Sequence, residues 1–289
     1  MGEMSLLCER KPVADDSLKV LIRNKAGLPT AVLLCSSPVQ PELVGIGIER
    51  ASQARCLLGT DWGRVILEPL LAGRIDGCSY GVFPYCQPLS KRWLGWIVQR
   101  SRLWPGLRNW LRGVIRMTAS EPTEEQRNRD FLLPLEQLAG DSRMNDRIRS
   151  EAKVAIRRLA IGQWKPQYVL AHNDLWRDNI LLMPGHNRLA WYSVGDFAII
   201  DWPGADLKGH AFYDLIRLAR SFGLPKWLLR RELDVHCRLL NCHTEDARGY
   251  LLAGLGYLGM HLECFPADRY VQCVSSCCEV LFSVDGRSK

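Results

Sequence analysis

The densest cluster of chemically capable side chains in the 289-residue sequence is AHNDLWRDNILL, residues 171–182. His172, Asp174, Asp178 and Asn179 fall within eight positions there. Short apolar runs on either side, 168–171 and 180–183, predict strands, so the polar residues occupy a tight loop between them. Twenty-two residues after Asn179 comes Asp201, ending another apolar run (AIID) just before Trp202-Pro203-Gly204. A carboxylate held on a rigid loop can orient a hydroxyl and accept its proton as the oxygen attacks. A side-chain amide and a second carboxylate can share a hard cation, because Mg²⁺ takes oxygen ligands and keeps waters and phosphate oxygens at its other positions. One base, one amide and one carboxylate are what phosphoryl transfer asks of a protein. The bland alternative is a chance H-x-D-x-x-x-x-N in a polar turn. The flanking strands and the second acidic strand end argue against it.

The elements that must hold these loops can be read outward from them. Upstream, 18–23 (LKVLIR) and 30–35 (TAVLLC) predict a hairpin across a turn at 24–29 that contains Gly and Pro. Residues 41–58 carry Leu43, Ile46, Ala54 and Leu57 at helical spacing. Further strands are expected at 64–67 and 81–85. Composition changes near residue 87. From 90 to 119 the chain is basic, rich in Trp and helical in pattern, with a break expected at Pro105. Helices are predicted at 123–138 and 145–159, the first with Glu124 and Glu125 where the helix dipole favours acids. Runs at 180–183, 188–192 and 197–201 predict a small β-cluster, and from 211 onward the pattern is helical. The sequence therefore predicts an α+β chain with a smaller β-rich part, 1–86, and a larger mainly helical part, 87–289. A cleft between two such parts is a natural place for a ligand.

HNDLWRDNIL followed by IIDWPGA resembles the aminoglycoside phosphotransferase and choline kinase group, with its H-x-D-L-x-x-x-N-I and I-D-W segments. It is less similar to protein kinases, because Trp202 follows Asp201 where they have Phe-Gly and Trp176 stands where they have a catalytic-loop Lys. The close match spans about residues 168–220, and the order of strands and helices extends it loosely to the whole chain. The resemblance implies a two-lobed protein-kinase-like fold and transfer of the γ-phosphoryl group of ATP (or GTP) to a hydroxyl of a small molecule that is aminoglycoside-, choline- or sugar-like. It implies Asp174 as the catalytic base and Asn179 and Asp201 as Mg²⁺ ligands. His172 would hold the loop, and Asp214 in FYDLIRLA would brace it through backbone N–H groups. The adenine would meet backbone near Phe83-Pro84-Tyr85.

The N-terminal part departs from that pattern. A Lys is expected on the third strand, paired with a Glu on the next helix. Cys35 aligns with the Lys, and Glu49 is the candidate partner. Lys19, Arg23 and Lys25 lie nearby and could substitute, or could be plain surface charges. The segment before residue 18 has no Gly except Gly2, so a glycine-rich phosphate cradle is missing. A non-catalytic, pseudokinase-like binding module is the competing reading.

Composition bounds the rest. Apolar residues make up 47% and charged residues 24%, which excludes a largely disordered chain. The longest apolar stretch, 250–260, ends at His261 and Glu263 and is too short to span a bilayer. The acidic N-terminal stretch is unlike a signal peptide. A cytoplasmic protein with its eleven cysteines reduced is expected. The pairs His236-Cys237 and Cys242-His243 are spaced poorly for zinc and read better as helix residues. The net charge of +7 is uneven: 91–116 holds seven basic residues and no acid, with four of the ten tryptophans. Arg108, Arg112 and Arg116 share one helix face there. That face could lie on an anionic membrane surface, as in a kinase of a lipid-linked sugar, or could simply be solvated above a packed apolar face. No nucleic acid is expected, since no recognition motif accompanies the patch.

Overall fold

A computed structural model describes residues 3–7, 17–183, 196–262 and 265–284. The strand expected at 188–192 lies outside the described residues. In chain order the elements begin β1 (Met4–Leu6), β2 (Leu18–Arg23), β3 (Pro29–Cys35), α1 (Leu43–Gly63), β4 (Leu71–Ile75), β5 (Cys78–Pro84), β6 (Gln87–Pro88) and α2 (Trp93–Thr118). Next come α3 (Glu124–Arg127), α4 (Leu133–Gly140), α5 (Asp146–Ala160), β7 (Tyr168–Ala171), β8 (Ile180–Leu182), β9 (Phe197–Ile199) and β10 (Asp206–His210). The chain ends in α6 (Tyr213–Phe222), α7 (Lys226–Leu239), α8 (Asp246–Met260) and α9 (Ala267–Phe282). These elements make the expected α+β architecture, distributed over two compact units. One is Met1–Asn109 with Asp178–Ala205, and the other is Trp110–Arg177 with Asp206–Lys289.

The first unit is built on an antiparallel sheet in the order β1-β2-β3-β5-β4. The β2–β3 hairpin forms as expected. The Asn24 side-chain oxygen accepts from the amides of Ala26 (2.9 Å) and Leu28 (3.0 Å), and Gly27 takes the positive φ of 75° that the turn needs. The β4–β5 hairpin has no counterpart in the sequence reading. Its two-residue turn is Asp76-Gly77, with φ of 49° and 79°, a pairing that matches strand twist. β4 itself is an exposed edge strand, so no apolar alternation marks it.

α1 docks at its N-terminus through hydroxyls: the Val44 and Gly45 amides each donate over 2.9 Å, to Ser36 Oγ and Ser79 Oγ. It buries Ala51, Ala54 and Leu58 and runs past the expected end at 58, through a non-helical Gly59. The expected strand at 64–67 is not one. Val65 and Ile66 are buried, but only a single parallel bridge, Ile66 to Ile199, forms there. A second small sheet joins β6, β8 and β9.

α2 corrects a further expectation, because it continues through Pro105. A proline inside a helix costs about 3 kcal/mol. Leu103, Trp104 and Leu107 are all buried around it, and burying each side chain contributes about 1.5–3 kcal/mol. Tertiary packing therefore outweighs the lost hydrogen bond. The expected helix over 123–138 is real but interrupted by a π-helical turn, Asn128–Leu132, between α3 and α4. A capping box starts it: the Gln126 amide donates to Thr123 Oγ1 (3.2 Å) and the Thr123 amide to Gln126 Oε1 (3.0 Å).

The π turn brings Phe131 into the centre of the second unit. Its ring lies 4.9 Å from that of His210, 5.4 Å from Tyr168 and 6.0 Å from Trp164. This cluster fixes β7, which is buried along its whole length and pairs antiparallel with β10. β10 is polar and escapes the sequence reading. Gly209 is required in it, since a Cβ there would come within 2.5 Å of Ala171 Cβ. Around these two strands α8 buries Tyr250, Leu251, Leu252 and Leu255. Among the described residues no helix is long and apolar enough to cross a membrane.

The basic stretch is partly internal. Leu107, Leu111, Val114 and Ile115 are buried, as the packed face requires. Arg112, however, is not a solvated charge. It forms a bidentate pair with Glu232, which is fully buried. Trp104 and Trp110 are core residues, whereas Trp93 is exposed.

Candidate active site

The second unit holds the loop that begins at His172. β7 delivers it, and the buried Thr118 hydroxyl takes the Leu170 amide at 2.9 Å just before it. His172 is buried. The Asp214 carboxylate, at the start of α6, accepts the backbone amides of His172 (2.6 Å) and Asn173 (3.0 Å). Asn173 has a φ of 62°, so the backbone turns sharply there. Non-glycine residues persist in that region only where their surroundings enforce it. The Asp174 amide then donates to His172 Nδ1 at 3.3 Å. Burial pushes the Asp214 carboxyl up to about 6, against the two amides that favour its charge.

A pKa raised above its unfolded value gives stability that is present at low pH and lost as pH rises through the folded value. Between about pH 4 and 6, the stability advantage of the parent protein over Asp214→Asn should therefore shrink, by about 2–3 kcal/mol. Urea unfolding of both proteins at pH 4.5 and pH 7 measures it. An unchanged difference would overturn the assignment.

Asp174 is half-buried and accepts two side-chain hydrogen bonds. Trp176 Nε1 donates to Oδ2 at 3.2 Å, and Arg217 of α6 forms an ion pair with Oδ1. The sequence reading missed Arg217. Desolvation works against its charge, but Tyr213, Asp174 and Cys273 hold the guanidinium above its ordinary value.

The first unit holds Asn179 and Asp201. β8 and β9 are antiparallel, with Ile180 opposite Ile199. Asn179 precedes the first of these and Asp201 lies two residues past the second, so both emerge from the same end of one hairpin. The Ile200 amide donates to the Asn179 carbonyl at 3.0 Å across that end. Asn179 is buried; Asp201 is exposed and has a φ of 70°. Trp202 anchors the turn, its Nε1 donating to the Ile199 carbonyl at 3.0 Å. α1 abuts the same segment: Arg50 donates to the Pro203 carbonyl, and Gly47 packs on the Pro203 ring.

Phe83 packs in the same unit against Leu67, Cys86 and Ala198, with Leu181, Met183 and Ile200 around them. The Tyr85 amide donates to the Thr30 carbonyl at 3.0 Å, which leaves its carbonyl as the group that could meet a base. Glu49 is exposed and accepts from Gln53 Nε2 at 3.2 Å, so the structure does not bring it to a lysine. Strand register fixes the face of the sheet on which Cys35 lies. Cys35 lies opposite Tyr80, whereas Leu34 lies opposite Gly81 and Lys19. A Cβ on Gly81 would meet Ile48 of α1, so Leu34 and Lys19 share the face toward α1 and Cys35 lies on the other. Arg23 is engaged in its own turn, donating to the Gly27 carbonyl at 2.9 Å.

Among the described residues no group of three or more His, Cys, Asp and Glu side chains could hold a metal ion. His236 is a packed residue: burial and the nearby Arg112 charge lower it to about 3.

The sheet-bearing first unit and the helical second unit, with these loops, define a chain with the aminoglycoside phosphotransferase and choline kinase fold. No protein-family model and no curated protein matches the sequence. The chain is similar in structure to a thermostable mutant of aminoglycoside phosphotransferase APH(4)-Ia in ternary complex with AMP-PNP and hygromycin B. That match has 15% identity, covers 98% of this chain and 94% of that one, and has a TM-score of 0.56. It is also similar to the choline kinase LicA from Streptococcus pneumoniae, with 14% identity, coverage of 97% and 93%, and a TM-score of 0.51. A gentamicin complex of APH(2")-IIa matches at 12% identity, over 96% and 91% of the two chains, with a TM-score of 0.51.

Proposed function

We propose that this protein transfers the γ-phosphoryl group of a nucleoside triphosphate to a hydroxyl of a small molecule, with Asp174 as the base. The observation that carries the reading is the bracing of the loop: Asp214 takes the amides of the two residues before Asp174. That brace draws a carboxylate partly out of water, which a mere surface turn would have no use for. The fold shared with phosphotransferases that bind AMP-PNP and hygromycin B supports the same reading.

In it, Asn179 and Asp201 hold Mg²⁺. Their donor chemistry fits, both being oxygen-bearing side chains at one hairpin end, and Mg²⁺ takes waters and phosphate oxygens at its other positions. The metal, when bound, would neutralise charge on the phosphates. The adenine meets backbone beside Phe83 and Tyr85. Lys19, opposite Leu34 on the α1-facing side of the sheet, is the candidate phosphate cation. The N-terminal lobe ends near residue 86. The acceptor carries a free hydroxyl and is small, as hygromycin B and choline are for the similar proteins.

Mg-ATP should raise the unfolding temperature, since a ligand at 100 times its Kd stabilises the native state by about 2.7 kcal/mol. Asp201→Ala should remove that rise while keeping the ligand-free midpoint. No Mg-ATP-dependent shift in the parent protein would sink the nucleotide reading. A shift without any transfer, across a screen of hydroxylated metabolites, would instead favour the binding-module reading that Cys35 and the missing glycine-rich loop motivate.

A further inference from the structure

We propose that Arg217 is a positioning residue for Asp174, and that one face of α6 acts as the frame that fixes the whole catalytic loop. The proposal rests on the reading of Asp174 as the base. Residues 214, 217 and 221 are spaced three and four apart, so they lie on one side of a helix. Each ties down a different part of the loop. Asp214 accepts the amides of His172 and Asn173. Arg217 pairs with the Asp174 carboxylate. Ser221 Oγ accepts the Arg177 amide at 3.1 Å.

Backbone and side chain are thus held by the same rigid element. The backbone ties fix where Asp174 begins, and only Arg217 among the three fixes where its carboxylate points. The Trp176 indole holds the other oxygen at 3.2 Å, so the carboxylate is gripped from two sides.

Arg217 is itself held from behind. The Tyr213 ring lies 6.0 Å from its guanidinium, and Cys273 Sγ of α9 lies 3.9 Å from Nη1. The Tyr213 hydroxyl is 3.5 Å from the same sulfur. A planar guanidinium fixed this way offers one geometry to the carboxylate, which a flexible ammonium would not. Without it, the terminal torsion of an aspartate is broad and roughly two-fold. Orientation is what matters here, since phosphoryl transfer depends on positioning and electrostatics far more than on a strong base.

The Trp176 indole supplies a direct reporter. In full-length protein labelled with ¹⁵N-Trp, its N–H resonance is assigned by Trp176→Phe, and Asp174→Ala gives its position without the bond. Arg217→Met should move the resonance toward the Asp174→Ala position and speed its exchange with water. Arg217→Lys, which keeps the charge but not the planar fork, should place the resonance between the parent and Asp174→Ala positions. The other indole resonances report that the variant is folded, and Arg217→Gln serves the same comparison if the Met variant is not. With Mg-ATP and an acceptor from the metabolite screen, Arg217→Met should lower kcat by about 10–100-fold with KM for ATP little changed. Arg217→Lys should recover part of the loss. A folded Arg217→Met or Arg217→Gln protein whose Trp176 resonance stays at the parent position overturns the proposal. If Asp174→Asn keeps turnover, the base assignment fails separately, and the indole spectrum still decides whether Arg217 positions the carboxylate.

Discussion

Asp174→Ala should lower turnover by about 10²–10⁴-fold, the range set by a positioned general base, and leave the fold in place. The two halves of this expectation have different sources. The loss of rate follows from chemistry: Asp174 is the carboxylate at the tip of a loop whose preceding amides are locked by Asp214. The retained fold follows from exposure. The Asp174 side chain is 43% exposed, so its removal opens no cavity in the core. Its ion pair with Arg217 is partly screened by water, and the guanidinium keeps its contacts with Tyr213 and Cys273. The stability cost should be about 1 kcal/mol or less. KM for ATP should hold, because the residues assigned to nucleotide and metal all belong to the other compact unit. Steady-state phosphate transfer and urea unfolding on the same preparations check both halves. Turnover within about tenfold of the parent would remove Asp174 from the base position.

The residues proposed for the chemistry were far more legible than their supports. Asp174, Asn179 and Asp201 stand out because their spacing falls against short apolar runs, and the strands 168–171 and 180–182 are plain in the sequence. Arg217 was not legible. In YDLIRLARSF an arginine between apolar residues reads as the solvent side of an amphipathic helix. The signal was its place three residues after Asp214, on the face already assigned to the loop. Strand β3 shows a second limit. The sequence aligns Cys35 with the lysine, but it cannot say which face of the sheet Cys35 lies on, since in a strand one residue turns the side chain to the opposite face. Only the register against β5 resolves that. The Asp76-Gly77 turn was visible in principle, but the edge strand before it has no buried side to betray it. Pro105 shows the converse, a strong local rule overridden by three buried neighbours.

The same overriding of local pattern by packing predicts a large stability effect at Arg112. Arg112→Ala should cost about 3–5 kcal/mol, as expected when one partner of a buried ion pair is removed. Arg108, Arg112 and Arg116 look equivalent in the sequence, four residues apart on one helix face. Arg116 is exposed, and Arg116→Ala should change stability by less than about 0.5 kcal/mol. Arg112 instead reaches Glu232 through Nε at 3.0 Å and Nη2 at 2.7 Å, and that carboxylate has no exposed surface. Deleting the guanidinium removes the charge that neutralises a fully buried anion, which water cannot reach to compensate. The cost thus comes from Glu232 and not from the lost contact alone. Replacing both residues tests that account: Arg112→Met with Glu232→Leu should regain most of the loss, since a packed apolar pair substitutes for a buried ion pair at little cost. Chemical unfolding of the three single and double variants gives the values directly. Equal, small effects at 112 and 116 would mean that the basic face is solvated along its whole length, and would return that helix to the role of a free cationic surface.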